Sequence, residues 1–252
     1  MSDKVAIYCV CFPDHEPRKQ QKNQINIMCN AHGISDEYRN SLAKKGFVFD
    51  DTNENISELN WALGDLTATY WIWKNSNYDI VGTSQYRRFW DKSIEKMKFS
   101  KNTLYVQEPV DLAESIKDQY IRCCGTYGIS ILEELVEKKE IPLTKEMLEK
   151  TYSQSELHSC NMFIAHKDTY NQFCEILFDI VFKIYHKAGD GLLELDKYQR
   201  RMPAFMAERI VMALIVNKEH FFPDLKVVHL KWSVKKEITL GRLIKNLKRL
   251  IR

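Results

Sequence analysis

The 252-residue chain is 44% apolar and 12% aromatic, with only 9 Gly and 6 Pro. This composition fits one main folded domain and excludes low-complexity or disordered organisation. Its seven cysteines are odd in number and form no C-x-x-C pair, so reduced thiols of a cytoplasmic protein are expected. The formal net charge of +3 hides an asymmetry, because residues 231–252 carry eight Lys/Arg and one Glu and leave residues 1–230 acidic overall.

The N-terminal residues show no basic leader, and no apolar run reaches the roughly 18–20 residues that span a bilayer. Neither a signal peptide nor a membrane-spanning helix is expected. Val5-Ala6-Ile7-Tyr8-Cys9-Val10-Cys11-Phe12 is β-branched and aromatic up to Pro13 and predicts a buried first strand. Residues 45–49 read as a second strand, followed by a polar loop to residue 57. From Ser57 or Asn60, either of which suits an N-cap, the periodicity predicts one helix to about Asn75. Leu59, Leu63, Leu66, Tyr70 and Trp73 form its apolar stripe. Trp61, Ala68 and Ile72 form a second apolar side, on which Asp65 falls.

Residues 78–83 predict the next strand, where Gly82 allows close approach of backbone or ligand, and residues 104–106 a short one. Helices are expected over 112–124 and 129–139, broken between them by Gly125 and Gly128. A strand over 160–166 then leads into a long amphipathic helix over 168–187 and a polar loop over 188–201. Pro203 suits the first turn of a helix that runs to Val216 and is apolar almost all round; residues 227–230 read as a final strand. Strands alternating with helices indicate an α/β layered fold.

Chemistry is suggested first by Gln85-Tyr86-Arg87-Arg88-Phe89-Trp90, two adjacent arginines at the end of a strand, where α/β proteins meet anionic ligands. Guanidinium groups suit paired phosphate oxygens, and flanking aromatics would partly desolvate them so that they require a partner. The plainer alternative is a solvated pair. Glu208 and Arg209 lie inside an apolar helix about 100° apart, so each is expected to need its own partner, in a structural network or in substrate binding. Asp65, on an apolar face, suits a general base or a structural acid.

Metal binding has little support, since no Asp-x-Asp triplet occurs and Asp190, Glu194 and Asp196 fall in an expected loop. The seven His lack ligand spacing, with His158 and His229 nearest strands that could border a site. No P-loop, G-x-G-x-x-G or zinc spacing is present. Leu240, Leu243, Ile244, Leu247, Leu250 and Ile251 keep helical spacing among Arg242, Lys245, Lys248, Arg249 and Arg252. Such a basic amphipathic helix suits an anionic membrane surface or a partner helix, or else docks on the domain with a solvated basic face.

Five blocks occur in consistent order over about residues 50–215. They are Asn55-Ile56-Ser57-x-x-Asn60, the segment 65–75, Gln85-Tyr86-Arg87-Arg88-Phe89, Asn161-Met162-Phe163-Ile164, and Gln199-Arg200 leading to Phe205-x-Ala207-Glu208-Arg209. Together they resemble the bacterial capsular and lipopolysaccharide glycosyltransferase family first catalogued as domain of unknown function 4422. Two departures stand out: Gln85 occupies the position of the family's usual His, and Cys11-Phe12-Pro13-Asp14-His15 replaces an Ala-His-Lys-like turn.

The resemblance implies a GT-A-like nucleotide-sugar-binding fold over residues 1–230, with a mixed central sheet flanked by helices, and the basic amphipathic segment over 231–252. It implies transfer of a hexose, galactose or a related sugar, from a nucleoside diphosphate donor, uridine-linked, to a lipid-linked surface glycan at the inner membrane face. Carried onto this sequence, Arg87, Arg88, Tyr86, Gln85, Asn60, Asn161 and Arg209 bind the donor, and Asp65 or Glu208 contacts the sugar or acts as base. The resemblance assigns no metal ligand and leaves open an Mg²⁺ or Mn²⁺ ion, much of whose electrostatic work the arginines are expected to replace. Nucleic acid is not an expected partner. The competing readings are a single-stranded nucleic-acid-binding protein with aromatic platforms and, given Gln85, an inactive scaffold of glycan assembly.

Overall fold

The computed structural model describes residues 3–13, 15–17 and 19–235. Its strands are β1 (Val5–Cys11), β2 (Gln24–Met28), β3 (Val48–Phe49), β4 (Ile80–Gln85), β5 (Arg88–Trp90), β6 (Thr103–Gln107), β7 (Val110–Asp111), β8 (Glu156–Leu157), β9 (Phe163–His166), β10 (Lys226–Leu230) and β11 (Trp232–Val234). Nine of them form one sheet in the order β10-β6-β9-β4-β1-β2-β3, with β5 and β11 added beside β4; β7 and β8 pair separately. Neighbours are parallel except where β9 runs against both β4 and β6, and where β5 runs against β4 and β11. The sheet therefore continues through Val234, past the boundary expected at residue 230. The amphipathic helix expected in the basic segment lies, from residue 236 onward, outside the described residues.

The helices are α1 (Asp36–Lys44), α2 (Asn60–Leu63), α3 (Leu66–Asn75), α4 (Ile116–Cys124), α5 (Tyr127–Glu137), α6 (Lys145–Tyr152), α7 (Lys167–Ala188), α8 (Gly191–Glu194), α9 (Met202–Val216) and α10 (Lys218–Phe221). Successive side chains of a strand face opposite sides, and β1 shows how this divides the core. Ala6, Tyr8 and Val10 join the main core beneath α3, α5, α7 and α9, whereas Ile7, Cys9 and Cys11 join smaller clusters on the other side. Gly82, in the middle of β4, admits the backbone of β9 rather than a ligand: a Cβ there would lie 2.8 Å from the Phe163 carbonyl oxygen and 2.5 Å from the Ile164 side chain. Helix α1 and strand β2 were not expected from periodicity. Helix α4 starts later than expected, at the Ser115 cap, whose hydroxyl accepts the Asp118 amide.

The single helix expected to about Asn75 is broken. Residues 57–59 make a 3-10 turn, α2 ends at Gly64, and α3 begins two residues later. Gly64 adopts φ 53° and ψ −128°, which a side-chain-bearing residue rarely takes. Asn60 Nδ2 donates to its carbonyl oxygen at 2.7 Å, and Thr67 Oγ1 lies 3.1 Å from the same oxygen. Ser57 is no N-cap, for its hydroxyl donates to the Asp50 carboxylate at 2.6 Å. Asp50 is fully buried and also accepts from the backbone of Asn30 and Ala31 at 3.1 and 3.0 Å and from Thr67 Oγ1 at 2.6 Å. One carboxylate thus ties the turn after β2 to both sides of the break. Replacing Asp50 by Ala strands several buried donors, and chemical denaturation should show a loss of about 3–5 kcal/mol.

Candidate active site

The chain leaves β1 towards β2 and leaves β4 towards the opposite half of the sheet, so strand order reverses between these parallel neighbours. Open α/β sheets bind ligands in the crevice beyond the carboxyl ends of such strands. A cavity of about 1210 Å³ opens there, lined by Phe12 and His15 after β1 and by Gln85 and Tyr86 at the end of β4. Asn60, Asp65, Arg87, Arg88, Asn161 and Glu208 also line it, but Arg209 does not. Four chain segments, 60–65, 85–88, 161 and 208, therefore deliver eight of the nine residues singled out from the sequence to one cavity.

Tyr86 and Arg87 form the tight turn between β4 and β5, and the Tyr86 amide donates to the Val10 carbonyl at 2.9 Å. The Tyr86 ring stacks on His15 with centroids 4.8 Å apart and planes 10° apart. Arg87 is exposed at the cavity mouth, its guanidinium carbon 5.5 Å from the Tyr86 ring centre. Arg88 is half-buried and donates from Nη1 to Gln85 Oε1 at 2.7 Å. The buried Gln85 amide in turn donates from Nε2 to Asp65 Oδ2 at 2.9 Å and to the Cys160 carbonyl at 3.1 Å. Burial and the nearby Glu208 carboxylate push the Asp65 carboxyl up to about 6, against the opposing pull of Arg201 and the Gln85 amide. Asp65 therefore exchanges its proton close to neutral pH, the range in which a general base works.

Glu208 accepts the Cys160 amide at Oε1, 2.7 Å away, and a hydrogen bond from Arg209 Nη1 at Oε2, 2.8 Å away. The expectation that adjacent Glu208 and Arg209 cannot neutralise one another is thus corrected. Their Cβ atoms diverge on α9, but both side chains are long enough to fold back and meet. Arg209 is buried behind the wall, bonded to Gln119 and to the Phe205 carbonyl and lying over the Tyr120 ring, so it is not placed to touch a ligand in the cavity. Cys160 and Asn161 have φ of 72° and 47°, two consecutive left-handed residues. Asn161 lines the cavity, and its Oδ1 atom is buried without a hydrogen-bond partner. Burial, followed by Glu208, raises the Cys160 thiol to about 11, which keeps it protonated and a poor nucleophile.

Sequence reasoning missed Arg201, which lines the cavity with its guanidinium carbon 5.3 Å from the Phe205 ring centre. Its signal was present, since Arg200-Arg201 between Tyr198 and Phe205 repeats the aromatic-flanked arginine pair at residues 86–89. Arg200 is structural and donates to the carbonyls of Leu195 and Leu193 at 2.9 and 2.8 Å. His158 and His229 lie with ring centroids 5.0 Å apart, and neither lines the cavity.

The family model described as Domain of unknown function (DUF4422) matches residues 14–219. The chain belongs to this DUF4422 family. Among solved structures, the apo form of WbbM, a bifunctional glycosyltransferase, superposes with a TM-score of 0.69 at 22% identity. The superposition covers 93% of this chain and 46% of that one, so this chain spans less than half the length of WbbM. The likeness establishes the fold, an α/β fold shared with that protein, with a mostly parallel central sheet flanked by helices. No curated protein matches the chain.

Acids that line the cavity of this DUF4422 protein already hold partners. Both Glu208 oxygens are engaged, Asp65 is held by Gln85, and Asp196 Oδ1 accepts the amides of Tyr198 and Gln199 at 2.8 and 2.9 Å. Among the described residues no group of three or more His, Cys, Asp or Glu is arranged to hold an ion. No helix among them is long and apolar enough to cross a membrane.

The raised Asp65 carboxyl has a consequence for stability. The folded state holds its proton up to about pH 6, while an unfolded chain releases it near 3.8. Unfolding therefore releases a proton between those values, stability falls as pH rises through the interval, and the penalty is complete above it. Asp65→Asn should be about 1–3 kcal/mol more stable than the native protein at pH 8, and the gain should vanish at pH 4, as read by denaturant melts at both values.

Proposed function

We propose that the protein is a glycosyltransferase that moves a hexose, galactose or a related sugar, from a uridine diphosphate donor to a lipid-linked surface glycan of capsule or lipopolysaccharide. The observation that carries this reading is the line Arg88–Gln85–Asp65, which puts a cationic fork and a carboxyl near pKa 6 in one cavity at the sheet's switch point. Arg87 and Arg88 bind the pyrophosphate and stabilise the charge that develops as the diphosphate leaves, the preorganised electrostatics that dominate catalysis. Arg201 adds a third guanidinium on the same wall.

Asp65 accepts the proton of the attacking hydroxyl. Its competitor for that role, Glu208, has both oxygens occupied and instead positions the turn that presents Asn161. Asn161, which lines the cavity, carries an amide that suits a donor-sugar hydroxyl. The Lys235 amide donates to the Arg87 carbonyl at 2.8 Å, which sets the last described residue beside an arginine of the cavity, and contact of the basic residues with an anionic membrane would bring a lipid-linked acceptor to the site.

Uridine diphosphate hexoses should raise the melting temperature of the native protein, because a ligand that binds only the folded state stabilises it. Arg87→Ala should abolish that shift and cut turnover by roughly 10²-fold or more while leaving the unliganded melting temperature unchanged. A fully active Arg87→Ala enzyme refutes the assignment. The kcat/KM profile should fall below about pH 6, and Asp65→Asn should remove that limb together with most of the activity. Deleting residues 236–252 should release the protein from vesicles rich in anionic lipid and leave nucleotide-sugar binding intact.

A further inference from the structure

The cavity is larger than one small ligand requires. Single-ligand pockets run to about 1,000 Å³, and this one exceeds that, at about 1210 Å³. Its contacts follow a line. From Arg88 the hydrogen bonds pass through Gln85 to Asp65; Gly64 precedes Asp65, and Arg201 Nη2 lies 3.0 Å from the Cβ position of Gly64. Arg201 covers Phe205, and Phe205 packs on Tyr198 with centroids 4.9 Å apart. The end reached this way adds exposed aromatic and apolar surface to its cations. Trp61 and Tyr198 line the cavity there and are 40% and 54% exposed, with Leu193 beside them at 53%.

These aromatic rings are held in place. Helix α2, which carries Trp61, packs against the 3-10 turn of residues 199–201, and α8 packs there too. The Asp196 carboxylate accepts the amides on either side of the turn's start, Arg200 clasps the carbonyls of Leu193 and Leu195, and the Trp61 ring rests edge-on against Tyr185 with centroids 6.2 Å apart. Large exposed aromatics fixed on a concave surface mark a binding face.

We propose that Trp61 and Tyr198 form an acceptor subsite that binds a pyranose ring by stacking, an inference that rests on the glycosyl-transfer reading above. A pyranose turns a face of C–H bonds, weakly positive, to an aromatic π face, which is negative. Its hydroxyls then meet the polar groups of the same wall, Asn60 and Lys197 among them. Along this line Asp65 stands between the stacking rings and the Arg87–Arg88 pair, where it can take a proton from an acceptor hydroxyl and leave the diphosphate to those two cations. The apolar rings bind the acceptor and the guanidinium fork binds the donor, so the two halves of the cavity are separable by mutation.

Saturation-transfer NMR tests this with the methyl pyranosides and simple disaccharides of galactose, glucose, mannose and N-acetylglucosamine as probes, and with uridine diphosphate as the donor-side control. The native protein should saturate the C–H protons of at least one sugar. Trp61→Ala/Tyr198→Ala should weaken that sugar about tenfold or more, Trp61→Phe/Tyr198→Phe should restore most of it, and uridine diphosphate should bind both variants as it binds the native protein. Arg87→Ala should do the reverse, losing uridine diphosphate and keeping the sugar. No saturation of any sugar by the native protein, or equal saturation in the double alanine variant, overturns the subsite. Failure of uridine diphosphate to bind the native protein while the sugar binds through Trp61 and Tyr198 would reject the donor assignment and leave a carbohydrate-binding site.

Discussion

The whole arrangement depends on a buried carboxylate that never touches the cavity. Asp50 accepts two backbone amides and two hydroxyls, and these come from the turn after β2 and from both sides of the break at Gly64. A carboxylate taken out of water is costly unless every lone pair finds a donor, so the four donors must converge. Their convergence fixes how α2 meets α3. A continuous helix would keep Trp61 and Asp65 on one buried side with Ala68 and Ile72. The left-handed step at Gly64 leaves Ala68 and Ile72 in the core and turns Trp61 and Asp65 to the cavity.

Asp65 is bonded to Gln85, whose amide is the electrically neutral link of the site. Its oxygen meets the cation of Arg88, and its nitrogen meets the carboxyl of Asp65 and the carbonyl of Cys160. An imidazole at this position offers one ring nitrogen to each side and, when protonated, two donors only. The amide can receive from a guanidinium and donate to two acceptors at once without a change of charge. Arg88 thus meets the Gln85 oxygen rather than Asp65, and the two opposite charges remain in one network without cancelling each other. That leaves positive charge for an anion and leaves the acid to titrate near pH 6.

How legible this was from sequence varied with the range of the interaction. The first strand, the long helix of α7 and the apolar helix of α9 follow from periodicity alone, and the structure has them within a residue or two. Residues 85–88 could be placed at a strand end because they follow directly on the strand read over residues 78–83. The break at Gly64 was not legible: Asn60, Gly64 and Thr67 read as helix until Asp50, from another segment, competes for the same hydroxyl. The same holds for Arg209, whose partners Gln119 and Tyr120 lie about ninety residues away. Local pattern exposes which residues are unusual, and only the tertiary partners decide which way they point.

Glu208 and Arg209 then explain the strained turn opposite. Non-glycine residues in the left-handed region cost on the order of 1–3 kcal/mol each and persist only where neighbours over-determine them, and Cys160 and Asn161 adopt it in succession. The Cys160 amide is fixed by Glu208, and the Asn161 carbonyl by the Thr83 hydroxyl at 3.0 Å. Glu208 can hold that amide only if its carboxyl group is kept in a set direction, and Arg209, itself fastened to Gln119, sets it. An adjacent ion pair inside an apolar helix, unexplained by that helix alone, is therefore the support from which an unpartnered Asn161 oxygen is held at the cavity wall. Shortening either charged side chain would release the turn, so Arg209, which does not line the cavity, bears on it through Glu208, which does.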